Sequence, residues 1–172
     1  RTVSFETRTN EVVLIEQRRL PHAFKLVRTR NFKQTARAIT NMTVRGAGAI
    51  GATAAYGLAQ GVRSFSGKTE SAFVKHVKRV YQTLAAARPT AVDLVNAMNN
   101  VLAAMDAGKS IEQKQRLGLK AANKFADEPE LTIKANLTPN FFANSFSKFL
   151  VLFDIVIRPD SKTFIPDNRS AT

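Results

Sequence analysis

The sequence predicts an α+β domain dominated by helices, in which a short N-terminal antiparallel β section is followed by about five helices. Two changes of pattern indicate this class. Apolar and polar residues alternate near the N-terminus, and from about residue 33 apolar residues recur about one helical turn apart. The chain has 172 residues, of which 44% are hydrophobic and 23% are charged. These values are typical of one globular domain, or of one domain with a tail.

The β section comes first. Two strands are predicted between Val3 and Ile15, separated by a turn at residues 8–10. Pro21 ends this extended section, because proline disfavours helix in the residue before it. Residues 24–27 fit one more short strand.

Two helices follow the β section. Asn31 is a candidate N-cap for the first, which places Ala36, Ile39 and Met42 about one turn apart. The second covers residues 47–63, which are mostly small and apolar. Such a helix can be buried and approached closely on several sides.

Three more helices are predicted. The third covers residues 70–87, and we interpret its basic face and His76 as solvated; that face carries Lys75, Lys78 and Arg79. Pro89 suits the first turn of the fourth helix, which ends at Gly108. Ser110 can cap the fifth, which runs to about Phe125.

The composition changes after residue 127. Half of the 12 Phe residues lie in 141–164, and four of the six Pro residues lie beyond 128. We therefore predict one domain over residues 1–127, and a linker and Phe-rich tail of unknown structure over residues 128–172.

The composition also limits the chemistry. The chain has no Cys and only two histidines, so it has no thiolate metal site and no three-histidine zinc site. We expect no metal and no cofactor, and we place His22 on the surface or in a turn. No apolar run approaches the roughly 20 residues of a membrane span. The chain starts at Arg1 without an apolar signal region, so we expect a cytoplasmic protein, and these residues are expected to be part of a longer chain.

Positive charge is concentrated in the first half. Residues 1–90 hold 16 basic and 4 acidic residues, whereas residues 91–172 hold 10 and 9. A basic half indicates an anionic partner such as a phosphate, a nucleotide, a nucleic acid or a membrane surface. One basic helix face is weak evidence for nucleic acid, so we do not expect a nucleic-acid partner.

The segment from Val44 to Gly51 carries the strongest chemical signal. Its glycines allow a tight turn and close approach of a ligand, and the next helix begins with unpaired N–H groups that suit an anion. Arg45 adds a planar set of donors for a phosphate. From these residues alone, a tight helix–helix junction with a solvated arginine explains the pattern equally well.

The same segment matches G-x-G-x-x-G through Gly46, Gly48 and Gly51, the pattern of a dinucleotide-binding module. That module requires a strand before Gly46 and an acidic residue about 20 positions later, where Glu70 lies close. The residues before Gly46 are predicted to be helical instead, so a dinucleotide-binding module is kept only as a minor alternative for the function.

A second signal is Arg88, which lies beside Pro89 at the predicted start of the fourth helix. An arginine in that position can meet an anion held at Arg45. The alternative is ordinary capping around a proline.

Three stretches together resemble the methylthioribose-1-phosphate isomerase family, which is related to ribose-1,5-bisphosphate isomerase and to the regulatory subunits of translation initiation factor 2B. Residues 42–57 read MTVRGAGAIGATAAYG, residues 88–92 read RPTAV and residues 13–21 read VLIEQRRLP. The resemblance covers about residues 1–127.

The resemblance implies an aldose–ketose isomerisation of methylthioribose 1-phosphate in methionine salvage, by an enzyme that is a homodimer at full length. It also implies that the phosphate is held at the positions matching the two family motifs, which are Arg45, Gly46, Ala47 and Arg88. The initiation-factor subunits generally lack the Arg-Gly-Ala signature, which favours the enzyme branch.

The chain departs from the family pattern in three ways. Gly48 stands where proline is commonest, and Asp93 stands where asparagine is usual. The family's catalytic Cys and Asp belong to a Rossmann-like C-terminal domain, and no residue here takes those roles. We therefore predict an N-terminal part that is inactive alone, with a non-catalytic regulatory or interaction protein of the initiation-factor type as the alternative.

Overall fold

The computed structural model describes residues 1–127, which form a three-stranded antiparallel sheet followed by five helices. The strands are β1 (Val3–Glu6), β2 (Glu11–Ile15) and β3 (Leu26–Thr29). The helices are α1 (Phe32–Thr40), α2 (Ala47–Arg63), α3 (Glu70–Ala85), α4 (Val92–Asp106) and α5 (Ile111–Asp127). The predicted fold class is confirmed, and the predicted tail at 128–172 lies outside the described residues.

The sheet follows the order β1-β2-β3, with Val3 opposite Leu14 and Val12 opposite Thr29. These four residues are buried, whereas their neighbours along the strands are more exposed. The alternation seen in the sequence therefore reflects one face of the sheet turned to the core.

Helix α2 is the centre of the helical layer. Its residues 50–62 are all buried, and it packs against the other four helices and the sheet. Close packing depends on its small residues: a Cβ added at Gly61 would lie 2.4 Å from Cγ1 of Val80 on α3. The prediction of a helix approached on several sides is confirmed.

Sheet and helices are joined through Gln60, a fully buried polar residue of α2. Its amide nitrogen, Nε2, donates to the carbonyl oxygens of Asn10 (2.9 Å) and Thr29 (2.7 Å). Its amide oxygen, Oε1, accepts from Thr35 Oγ1 (2.8 Å). A buried amide is stable only when its polar atoms are paired, and here the partners come from the β1–β2 turn, β3 and α1.

Helix α1 begins as predicted, with the Asn31 side chain accepting from Gln34 N at 3.0 Å. It ends earlier than the apolar spacing indicated. Met42 has a left-handed φ of 60°, its N–H bonds to Ile39 O at 3.1 Å, and Thr43 N bonds to Ala38 O at 3.0 Å. This is a Schellman ending, so the placement of Met42 on the helix was wrong.

The start of α4 also differs from the prediction. Pro89 lies in a turn closed by the hydrogen bond from Ala91 N to Arg88 O (3.1 Å), and α4 begins only at Val92. Proline presets φ equally well for the second position of a turn, and that role is the one adopted here.

Candidate anion-binding site

The candidate site is built on the start of α2. Gly46 is the N-cap, with φ 87° and ψ 140°, and no side chain caps the helix. A Cβ at Gly46 would have nothing within 4 Å, so glycine is required by the backbone conformation and not by crowding.

The first N–H groups of α2 are available to a ligand. The first helical hydrogen bond runs from Ile50 N to Gly46 O at 2.9 Å, so the N–H groups of Ala47, Gly48 and Ala49 have no acceptor within the helix. Gly46 and Ala47 are exposed. Free donors and the positive end of the helix dipole together favour an anion at this position.

Arg45 adjoins this helix start. Its side chain is exposed and makes no hydrogen bond or ion pair with any residue of 1–127. Its backbone N–H, by contrast, donates to the side-chain Oε1 of Gln17. The guanidinium is therefore free to meet a ligand while the backbone behind it is held.

Arg88 is brought to the same end of the helical layer. Thr40 Oγ1, at the end of α1, donates to Ala87 O at 3.2 Å. The residue before Arg88 is therefore bonded to the C-terminal end of α1, where the loop that contains Arg45 begins. The carbonyl oxygen of Asp93 lies 3.2 Å from a Cβ built at Gly51, one turn into α2. The half-buried Arg88 side chain has no polar partner among residues 1–127.

Asp93, the departure from the family pattern, occupies the first turn of α4. A carboxylate in a first helical turn interacts favourably with the helix dipole. Its position in the first turn of α4 is thus favourable for the helix.

Within residues 1–127 no group of three or more His, Cys, Asp or Glu residues could hold a metal ion. His22 is exposed in a turn, as predicted. His76 is not on a solvated face: its Nε2–H donates to Gly61 O at 2.7 Å, Arg79 donates to its Nδ1 at 3.0 Å, and its ring packs against Phe65.

The structure adds residues to the site that sequence reasoning did not select. Glu16 is buried and accepts two hydrogen bonds from Arg18, from Nε and Nη2, both 2.7 Å long. Hydrogen bonding by Arg18 lowers the pKa of the Glu16 carboxyl. This pair holds the short 3-10 turn Gln17–Arg19, from which Gln17 reaches the Arg45 loop. The only sequence signal was the stretch at 13–21, which carries the family resemblance but no recognised ligand pattern.

The dinucleotide hypothesis is contradicted by this geometry. The element directly before Gly46 is helix α1 and not a strand, and the sheet formed by residues 1–29 is antiparallel. A dinucleotide fingerprint needs a parallel strand running into the glycine turn. Separately, no helix within residues 1–127 has the length and apolar character needed to cross a membrane.

The fold defines a class of domain: a small antiparallel sheet followed by a five-helix layer, in which α2 begins at an exposed glycine directly after Arg45. The model of the Initiation factor 2 subunit family matches residues 43–140. The chain belongs to this family.

Curated relatives are methylthioribose-1-phosphate isomerases. That of Pseudothermotoga lettingae is 38% identical over 128 residues, which are 74% of this chain and 37% of the relative. That of Thermosipho africanus is 42% identical over 101 residues, or 59% of this chain and 29% of the relative. The chain therefore covers only 29–37% of the length of these two relatives.

Two solved structures share the fold. The 5-methylthioribose 1-phosphate isomerase of Pyrococcus horikoshii superposes with a TM-score of 0.69 at 38% identity, covering 74% of this chain and 36% of that chain. Subunit delta of the translation initiation factor eIF-2B from A. fulgidus gives a TM-score of 0.69 at 34% identity, covering 74% and 37%. The family resemblance stated from the motifs is confirmed.

Proposed function

We propose that this chain is the N-terminal part of a sugar-phosphate aldose–ketose isomerase that acts on methylthioribose 1-phosphate in methionine salvage. In this proposal Arg45, Gly46, Ala47 and Arg88 bind the substrate phosphate. The observation that carries it is that the exposed Arg45, without a polar partner in residues 1–127, directly precedes a helix start whose first N–H groups have no acceptor in the helix. Arg88, also without a polar partner there, follows Ala87, whose carbonyl oxygen accepts from the last residue of α1. The relatives named methylthioribose-1-phosphate isomerase supply the substrate class.

The four residues divide the work by chemistry. The N–H groups at the start of α2 are fixed donors of the kind that hold phosphate oxygens. The guanidinium groups of Arg45 and Arg88 add charge and paired donors, and they are suited to two faces of one phosphate. Binding the phosphate fixes the sugar, so that C1 and C2 are held in one place for the reaction.

The isomerisation itself needs a group that moves a proton between C1 and C2, or a hydride path shielded from water. In this proposal those groups lie outside the 172 residues, which contain no Cys. We therefore expect the purified chain to show no turnover of methylthioribose 1-phosphate. Turnover by the purified 172-residue chain would disprove this division of roles. The proposal also includes a homodimer at full length and a cytoplasmic location.

Thermal unfolding in inorganic phosphate tests the binding role. Phosphate at ten times its Kd stabilises the folded state by about 1.4 kcal/mol, which raises the Tm by about 3–5 °C. Removing one charged hydrogen-bond donor weakens binding at least about tenfold, so Arg45→Ala and Arg88→Ala should each reduce the shift to about 1 °C. Arg116→Ala, which removes an exposed arginine of α5, is the matched control and should keep the full shift. Equal shifts in all four proteins would count against the assignment.

A second function is supported by the structural similarity to the eIF-2B delta subunit, whose TM-score equals that of the isomerase. In that case the chain is a non-catalytic regulatory or interaction protein. Tight binding of a protein or RNA partner that is unchanged by Arg45→Ala, together with no stabilisation by phosphate, would favour it.

A further inference from the structure

The loop between α1 and α2, residues 41–46, is called the anion loop here. Gln17, in the 3-10 turn after β2, makes two hydrogen bonds to this loop. The backbone N–H of Gln17 donates to Thr43 O at 2.9 Å, and its side-chain Oε1 accepts from Arg45 N. Gln17 therefore holds the loop at two points, two residues apart. The backbone N–H and the side-chain oxygen of Gln17 are both engaged by the loop.

The turn that carries Gln17 is itself anchored. The buried carboxylate of Glu16 is paired with Arg18, and Arg18 Nη1 also donates to Asn41 O at 3.5 Å. The N–H of Glu16 donates to Lys25 O at 2.8 Å, which closes the base of the β2–β3 loop. Gln17 thus connects the anion loop to the rigid sheet.

The anion loop needs such an anchor. It contains two left-handed residues within five positions, Met42 at φ 60° and Gly46 at φ 87°. A non-glycine residue at positive φ is strained, and it persists where surrounding contacts determine its conformation. The hydrogen bonds from Gln17 fall between these two residues, at Thr43 and Arg45.

We infer that Gln17 is a positioning residue for phosphate, acting through the backbone of Arg45. This inference rests on the proposed phosphate role of Arg45 and Gly46. Binding groups are effective only when the residues behind them fix their geometry. By holding Arg45 N, Gln17 fixes the peptide between Val44 and Arg45, one residue before Gly46. In this way it helps to set the direction of the first N–H groups of α2.

The test compares Gln17→Met with Gln34→Met in the full 172-residue chain. Methionine keeps the length of the side chain and removes the amide acceptor. Gln34 is the matched control, because its Oε1 also accepts from a backbone N–H, that of Arg30, at 2.8 Å. This bond lies at the N-terminal end of α1, whereas the anion loop follows the C-terminal end. Three quantities are measured: the Kd for inorganic phosphate, the hydrogen-exchange rate of the Arg45 amide, and the urea midpoint of unfolding.

We expect Gln17→Met to raise the Kd for phosphate about three- to tenfold, the effect of one lost hydrogen bond, and to speed exchange at the Arg45 amide. Gln34→Met should change neither. A purely structural role of Gln17 would lower the urea midpoint and leave the Kd of the folded protein unchanged, and that result overturns the inference. If Arg45→Ala weakens phosphate binding and Gln17→Met does not, the inference fails while the proposed function stands. If wild-type protein binds no phosphate, both fail.

Discussion

Replacing Gly46 with alanine tests the backbone geometry at the start of α2. The added Cβ would meet no atom within 4 Å, so the substitution introduces no clash. Its cost is conformational: a φ of 87° with ψ of 140° is disfavoured for any L side chain by about 1–3 kcal/mol. Lower entropy of the unfolded chain offsets about 0.4–1 kcal/mol of this. We expect a net loss of about 1–2 kcal/mol in unfolding free energy.

The matched control for this prediction is Gly48→Ala, two residues later in the first turn of the same helix. Gly48 lacks a positive φ, so alanine there should be neutral or stabilising by up to about 1 kcal/mol. Urea unfolding of the three proteins gives the two differences from midpoints at a common m value. The reasoning is refuted if Gly46→Ala is as stable as Gly48→Ala.

Two further predictions concern the groups that support the site. Gln60→Leu should lower the unfolding free energy by about 2–4 kcal/mol, because it leaves the buried partners of the amide without their hydrogen bonds. A loss below 1 kcal/mol in urea unfolding would contradict this. Glu16→Gln should change the acid dependence of stability. The folded pKa of Glu16 lies below its ordinary value of 4.5, so its contribution is present above that pH and is lost as the pH falls through the folded pKa. Between pH 6 and pH 3 the wild-type protein should therefore lose more stability than Glu16→Gln, a difference that urea unfolding at each pH measures.

The sequence allowed the elements with a local cause to be predicted. The alternation around Val12 follows from one buried sheet face, and Asn31 caps its own helix through a residue three positions away. The small residues of α2 predicted its burial. Arg45 and Gly46 were selected because glycine, arginine and a helix start lie together in the chain.

Features fixed by distant contacts were not predictable in the same way. Pro89 suits a turn as well as a helix start, and Ala87, two residues before it, accepts a hydrogen bond from Thr40, 47 positions away. His76 looked solvated on a helical wheel, but its partner Gly61 belongs to another helix. Gln17 acts on a residue 28 positions away, which no local pattern reveals.

The most direct test of the central claim is a titration of the 15N-labelled chain with inorganic phosphate, followed by amide chemical shifts. We predict saturable shifts at Gly46, Ala47, Gly48 and Ala49, with a matching change at Arg88, and their loss in Arg45→Ala. Saturable shifts confined to other residues, or no saturation at any amide of this segment, would contradict the assignment of a phosphate site to the start of α2.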